Sequence, residues 1–143
     1  MDRDILFHLS QDGRLTNVEL AKRVGLTPRP CLCRLKRLEE AGVIAGYHAV
    51  INPEAVGRGL EVMVDVEVYA NDLKTIELLE ETLSSYEEVV EFRRMFGRPD
   101  YFLRVAVADH DAYSAFLTSK LTGLPGILHV ESHLTMKKIK TAP

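Results

Sequence analysis

Asn17-Val18-Glu19-Leu20-Ala21-Lys22-Arg23-Val24-Gly25-Leu26-Thr27-Pro28-Arg29-Pro30-Cys31-Leu32-Cys33-Arg34-Leu35-Lys36-Arg37-Leu38-Glu39 reads as two helices joined by a tight turn. Asn17 is the expected cap of the first, which places Leu20, Ala21 and Val24 on one face and stops at Gly25. Thr27 is the expected cap of the second. Pro28 stands at its first position, where a missing N–H costs nothing, and Pro30 still lies within the first turn. This helix should run to about Ala41, with Gly42 ending it.

A wheel of about 100° per residue divides that second helix. Cys31, Leu32, Leu35 and Leu38 fall in one arc, which can pack on its neighbours. The opposite arc, centred near Cys33, holds Arg29, Pro30, Lys36 and Arg37, with Arg34 on its shoulder. A short helix, a Gly turn and a second helix with cations opposite its apolar stripe make the geometry that enters a DNA major groove. Arg29, in the first turn, can bond two acceptors of guanine. Lys36 and Arg37 lie later and suit phosphate, which gives affinity without sequence information. Four basic residues on an arbitrary helix are more often a solvated face; the capped helix and turn before them reverse that preference.

Working outward, Asp4 to Ser10 carries Ile5, Leu6 and Leu9 at helical spacing, closed by Gln11-Asp12-Gly13. Residues 1–45 hold eight Lys/Arg against six Asp/Glu, and the rest of the chain ten against fifteen, so the net charge of -3 conceals a basic N-terminal part. At 143 residues, 46% hydrophobic and 27% charged, the chain has a globular composition. It has no apolar run of membrane length and no secretion signal at Met1-Asp2-Arg3-Asp4. A cytoplasmic address is expected, with no membrane partner. Cys31 and Cys33 face different sides of a helix, so neither a local disulfide nor a thiol metal site is expected.

After Gly42, Val43 to Ile51 reads as a short extended piece, followed by Asn52-Pro53 and by Gly57 and Gly59 in a linker. The period then changes to two. Val62, Val64, Val66 and Val68 alternate with Met63, Asp65, Glu67 and Tyr69, as in a half-buried strand. Asp72 caps a helix with Ile76, Leu79 and Leu83. Val89–Met95 and Tyr101–Ala108 are strands joined by Phe96-Gly97-Arg98-Pro99-Asp100, and a helix with Tyr113, Phe116, Leu117 and Leu121 precedes a last strand, Ile127–Met136. The order β-α-β-β-α-β is that of a ferredoxin-like sandwich. The expected organisation is α+β: a helix-turn-helix domain at 1–45, a linker strand at 46–59 and an αβ sandwich at 60–143.

The stretch quoted above, with Gly42-Val43-Ile44, Gly46-Tyr47, Asn52-Pro53, Gly97, Asp100-Tyr101-Phe102-Leu103, Ala112-Tyr113 and Leu124-Pro125-Gly126, resembles the Lrp/AsnC family of feast/famine regulators over nearly the whole chain. The resemblance implies a winged helix-turn-helix followed by a sandwich that dimerises through its sheets. It also implies further assembly, commonly to octamers, and an amino acid effector bound between subunits that shifts assembly or DNA affinity. Double-stranded DNA, further copies of the chain and an amino acid are thus the implied partners. Thr27 to Arg37 becomes the recognition helix, with Asn17, Thr27, Arg29, Pro30, Cys33, Arg34, Lys36 and Arg37 as DNA-binding positions. Cys33 replaces a more usual charged residue, and Arg29 stands where relatives often carry a small hydroxyl, which implies a distinct operator preference. The segment that precedes the first helix in the family is nearly absent here, so any minor-groove or backbone contacts it makes are weakened.

The loop Phe96 to Asp100 matches the family's effector segment. Phe96, Gly97, Arg98, Asp100 and Tyr101 are its implied binding residues, with His133 and Thr135 approaching from a neighbouring subunit. Asp100 can accept an α-ammonium and N–H groups near Gly97 can take a carboxylate; read without the resemblance, the same residues make a plain β-turn. His129 and His133 share a strand face, but with no third ligand at a supporting spacing no metal is expected. Asp65, Glu67, Tyr69, Arg104, Glu131 and His133 also share a face that either pairs across a two-fold contact or is wet. An enzyme is the main rival, because siroheme decarboxylases share the two-part architecture, with His48, His110 or His133 as the nominees. Such an enzyme has no need of a basic groove-facing arc. No phosphate loop, nucleophile elbow or supported carboxylate pair is present, so no enzymatic activity and no cofactor are expected. A module that only oligomerises is the second rival.

Overall fold

A computed structural model describes residues 1–69 and 71–142. The chain divides into two compact units, Met1–Val50 and Ile51–Lys140.

The first unit contains α1 (Asp2–Gln11), α2 (Asn17–Val24) and α3 (Pro28–Glu40). The cap of α2 is Thr16, not Asn17. Thr16 Oγ1 accepts from the Glu19 N–H at 3.2 Å, and the Glu19 carboxylate accepts from the Thr16 N–H at 2.9 Å, a reciprocal capping box. These two hydrogen bonds from Thr16 hold the Glu19 carboxyl below its ordinary range. Thr16→Ala should cost about 1 kcal/mol of stability, read as a lower denaturation midpoint at unchanged slope. Gly25 ends the helix at φ 73°, a left-handed conformation that only glycine adopts at little cost.

Thr27 is the N-cap of α3, but its hydroxyl makes no capping bond. The cause is local: the N–H that a capping threonine takes belongs to the third helical residue, here Pro30, which has none. Ile5, Leu20, Ala21, Cys31 and Leu38 form the buried core, with Leu35 packed against it. Leu32, assigned from the wheel to the core arc, is instead 38% exposed. It lies about 100° round the helix from Cys31, beyond the reach of α1 and α2. Burial raises the Cys31 thiol pKa, while Cys33 is exposed, so the two cysteines do face different sides.

The extended piece after Gly42 and the linker strand at 46–59 are not strands. Among the described residues, that segment finds no neighbouring chain to complete its backbone hydrogen bonds. Its first part is tied down by side chains instead. Ile44 packs into the core, and Tyr47 Oη donates to Glu39 at 2.9 Å. Burial, reinforced by that carboxylate, pushes the Tyr47 phenol up to about 12. Further on, Asn52 caps a 3-10 turn, Pro53–Val56, which ends at Gly57.

The second unit runs β1 (Leu60–Val68), α4 (Leu73–Ser85), β2 (Val89–Arg94), β3 (Tyr101–Val107), α5 (His110–Phe116) and β4 (Ile127–Leu134). This is the expected β-α-β-β-α-β order. The strands form one antiparallel sheet in the order β2-β3-β1-β4. Val62, Val64 and Val66 are fully buried, and with Leu103, Val105, Leu79, Leu83, Phe116 and Leu121 they form a core on one side of the sheet. Asp72 caps α4 as expected, accepting from the Thr75 N–H at 3.0 Å. A π turn, Leu117–Leu121, continues α5. The last strand stops at Leu134, so Thr135 lies beyond it.

Candidate DNA interface and effector loop

The exposed side of α3 is built by the residues that keep its other side in the core. With Cys31 and Leu38 buried, Arg29, Pro30, Cys33, Lys36 and Arg37 are exposed and Arg34 is half-buried. Asn17 does not cap its own helix. Its Nδ2 donates to the Pro28 carbonyl at 2.7 Å, bridging the start of α2 to the start of α3. The residue therefore sets where the first turn of α3 sits, and with it Arg29.

The sequence around α3 shows no acid before Glu39, yet an acid reaches two of its cations from elsewhere in the chain. Asp2, at the start of α1, lies 3.2 Å from Arg34 and 3.8 Å from Arg37. Arg34 is thereby engaged within the unit, and Arg37 is partly so. Arg29 and Lys36 have no ion pair among the described residues. The free hydroxyl of Thr27 stands beside Arg29 at the N-terminus of α3, where helix N–H groups and the helix dipole favour an anion.

The loop from Phe96 to Asp100 joins β2 to β3. Phe96 is completely exposed, and Gly97 takes φ 89°, a conformation that requires glycine. Asp100 anchors the loop: Oδ2 accepts from the Val68 N–H at 2.9 Å, and its carbonyl accepts from the Met95 N–H at 2.8 Å. Arg98 reaches Glu67 at 3.6 Å. Tyr101 is not brought to the loop's open side. It is 2% exposed, with Oη donating to Glu80 at 2.9 Å. Burial and then Glu80 push its phenol up to about 12.

His133 and Thr135 are not gathered at the loop within one chain. The loop adjoins the end of β1 where Val68 pairs with Ile127, whereas His133 pairs with Met63. Five residues along a strand span about 16 Å. His133 is instead bonded to Asp65, at 3.2 Å. Two concavities of about 390 and 400 Å³ lie at the other end of β3, lined among others by Asp109 and His110, and by Arg58, Glu88 and Lys120.

A helical unit that presents cations on the outer arc of its third helix, joined to an antiparallel αβ sandwich, is the architecture of a DNA-binding regulator with a sensory domain. Residues 1–45 match the winged helix-turn-helix DNA-binding family and residues 61–143 the Lrp/AsnC ligand binding domain. The leucine-responsive regulatory protein of Escherichia coli is 39% identical over 140 residues, which cover 98% of this chain and 85% of that one. A transcriptional regulator of Neisseria meningitidis, solved as a complex with L-methionine, is 36% identical with a TM-score of 0.91, covering 99% of this chain and 91% of the other. An AsnC family regulator from Agrobacterium tumefaciens is 38% identical with a TM-score of 0.88, covering 99% and 92%. The chain belongs to the Lrp/AsnC family of transcription regulators. Its relatives are regulators rather than enzymes.

Proposed function

We propose that α3 reads operator DNA through Arg29 and Cys33, with Thr27, Pro30, Lys36 and Arg37 lining the contact, and that an amino acid bound at the Phe96–Asp100 loop controls it. The observation that carries the DNA reading is the exposure of Arg29, Cys33 and Lys36 opposite buried Cys31 and Leu38. Asn17 and Arg34 serve as positioning residues, because each is engaged inside the unit.

At the loop, Asp100 has a second carboxylate oxygen for an α-ammonium, and the backbone around Gly97 supplies N–H groups for the carboxylate. Arg98 and Phe96 flank it. The solved Neisseria regulator and a feast or famine regulatory protein of Mycobacterium tuberculosis were both crystallised with L-methionine, which supports an amino acid as the ligand. The loop stands open at the strand ends, so a neighbouring subunit closes it. Self-association through the sheet face away from the helices, and further assembly up to an octamer, complete the reading, as does action in the cytoplasm on chromosomal DNA.

Thermal-shift measurements against the twenty amino acids, paired with gel shifts on the gene's own upstream DNA, test this directly. A selective ligand raises the melting temperature and changes operator affinity, and both responses disappear in Asp100→Asn. No shift with any amino acid would leave an oligomerising module without a sensor.

A further inference from the structure

We infer that Asp65, Glu131 and His133 form a binding site for a zinc-like divalent transition-metal ion on the sheet face away from α4 and α5. Asp65 and Glu131 are register partners on β1 and β4, so their side chains stand directly opposite on one face. Like charges so placed oppose each other and destabilise the pairing.

Elsewhere on this face the acids are neutralised. Glu61 is met by Arg104 at 3.6 Å and by Lys138 at 3.5 Å, Glu91 by Arg104 at 3.1 Å, and Glu67 by Arg98 at 3.6 Å. Glu131 has no ion pair among the described residues, and Asp65 is met only by His133. Two carboxylates thus face each other with a single imidazole as their company.

The donor atoms of these three residues lie within 4.8 Å of one another. One imidazole nitrogen and two carboxylate oxygens suit a borderline ion such as Zn²⁺, whereas Mg²⁺ prefers an all-oxygen, largely hydrated shell. Three protein ligands leave a fourth position for water. A dication cancels the charge of both carboxylates. Asp65 and His133 are 31% and 49% exposed, so an ion can enter. All three ligands come from one chain, and the residue spacing conceals them, because 65 and 131 meet only through strand pairing.

Calorimetric titration of Zn²⁺ into the full chain, stripped with chelator and exchanged into non-coordinating buffer, tests the site. The expected result is one ion per chain in the micromolar range, weakened about tenfold or more in Glu131→Gln and in His133→Ala. Binding should be unchanged in His110→Ala and in excess Mg²⁺. Because Glu131→Gln keeps the side chain's shape while removing the repulsion, the metal-free variant should melt about 2 °C higher than the parent. Absence of Zn²⁺ binding, equal affinity in Glu131→Gln, equal loss in His110→Ala, or no rise in melting temperature would each overturn the assignment.

Discussion

Arg29→Ala should lower discrimination between operator and single-mismatch DNA by roughly 5- to 150-fold, the equivalent of about 1–3 kcal/mol. Arg29 occupies the first turn of α3, is exposed, and has no intramolecular ion pair among the described residues. Its guanidinium is therefore free to take both acceptors of a guanine edge. Lys36→Ala makes the contrast. It should weaken every sequence alike and reduce the salt slope of binding by about 0.9, one phosphate contact. Fluorescence anisotropy across a salt series on operator and mismatched duplexes separates the two effects. Equal losses on all duplexes for Arg29→Ala would move base reading elsewhere on the helix.

Leu20→Ala should cost about 2–5 kcal/mol. Leu20 is completely buried between α1, α2 and α3 in a core of only five fully enclosed residues. A unit of about 50 residues buries too little surface to absorb that loss. The expected result is an early melting transition and loss of operator binding, with the sheet of the second unit still seen by circular dichroism. Val18→Ala, at a position 62% exposed on the same helix, should change stability by no more than about 0.5 kcal/mol. A parent-like melt for Leu20→Ala would contradict the packing assigned to the first unit.

Most of the fold is legible along the chain, because helices and half-buried strands announce themselves by local period. The alternation from Val62 to Val68 and the stripe through Ile76, Leu79 and Leu83 need no tertiary information. The misplaced features are those in which two local rules compete. Thr16 and Asn17 are both good caps, and Thr16 prevails because Glu19 stands three residues on to return its hydrogen bond. Leu32 has the right chemistry for a core but sits at the arc's edge. Residues 46–52 have the composition of a strand but no partner to pair with.

The DNA-facing arc was half visible in the same sense. The wheel placed Arg29, Cys33 and Lys36 on the outer side of α3, and they are exposed there. It had no means of showing that Asp2, thirty-two residues before Arg34, would engage that arginine and approach Arg37. Nor could it show that Asn17 would reach the Pro28 carbonyl across the turn. In the second unit, loop chemistry pointed to Asp100, while only strand register revealed that one of its oxygens anchors the end of β1.

The sequence alone therefore determined the helix-turn-helix, the order of the sandwich, and the face on which each basic residue of α3 stands. All of these follow from periods and caps acting within about ten residues. The tertiary structure decided which of those charges remain free, that Tyr101 is a core residue rather than a loop ligand, and that Asp65, Glu131 and His133 converge. Hydrogen-bond register and helix packing join residues far apart in the chain, and no local pattern encodes which distant side chain will arrive opposite another.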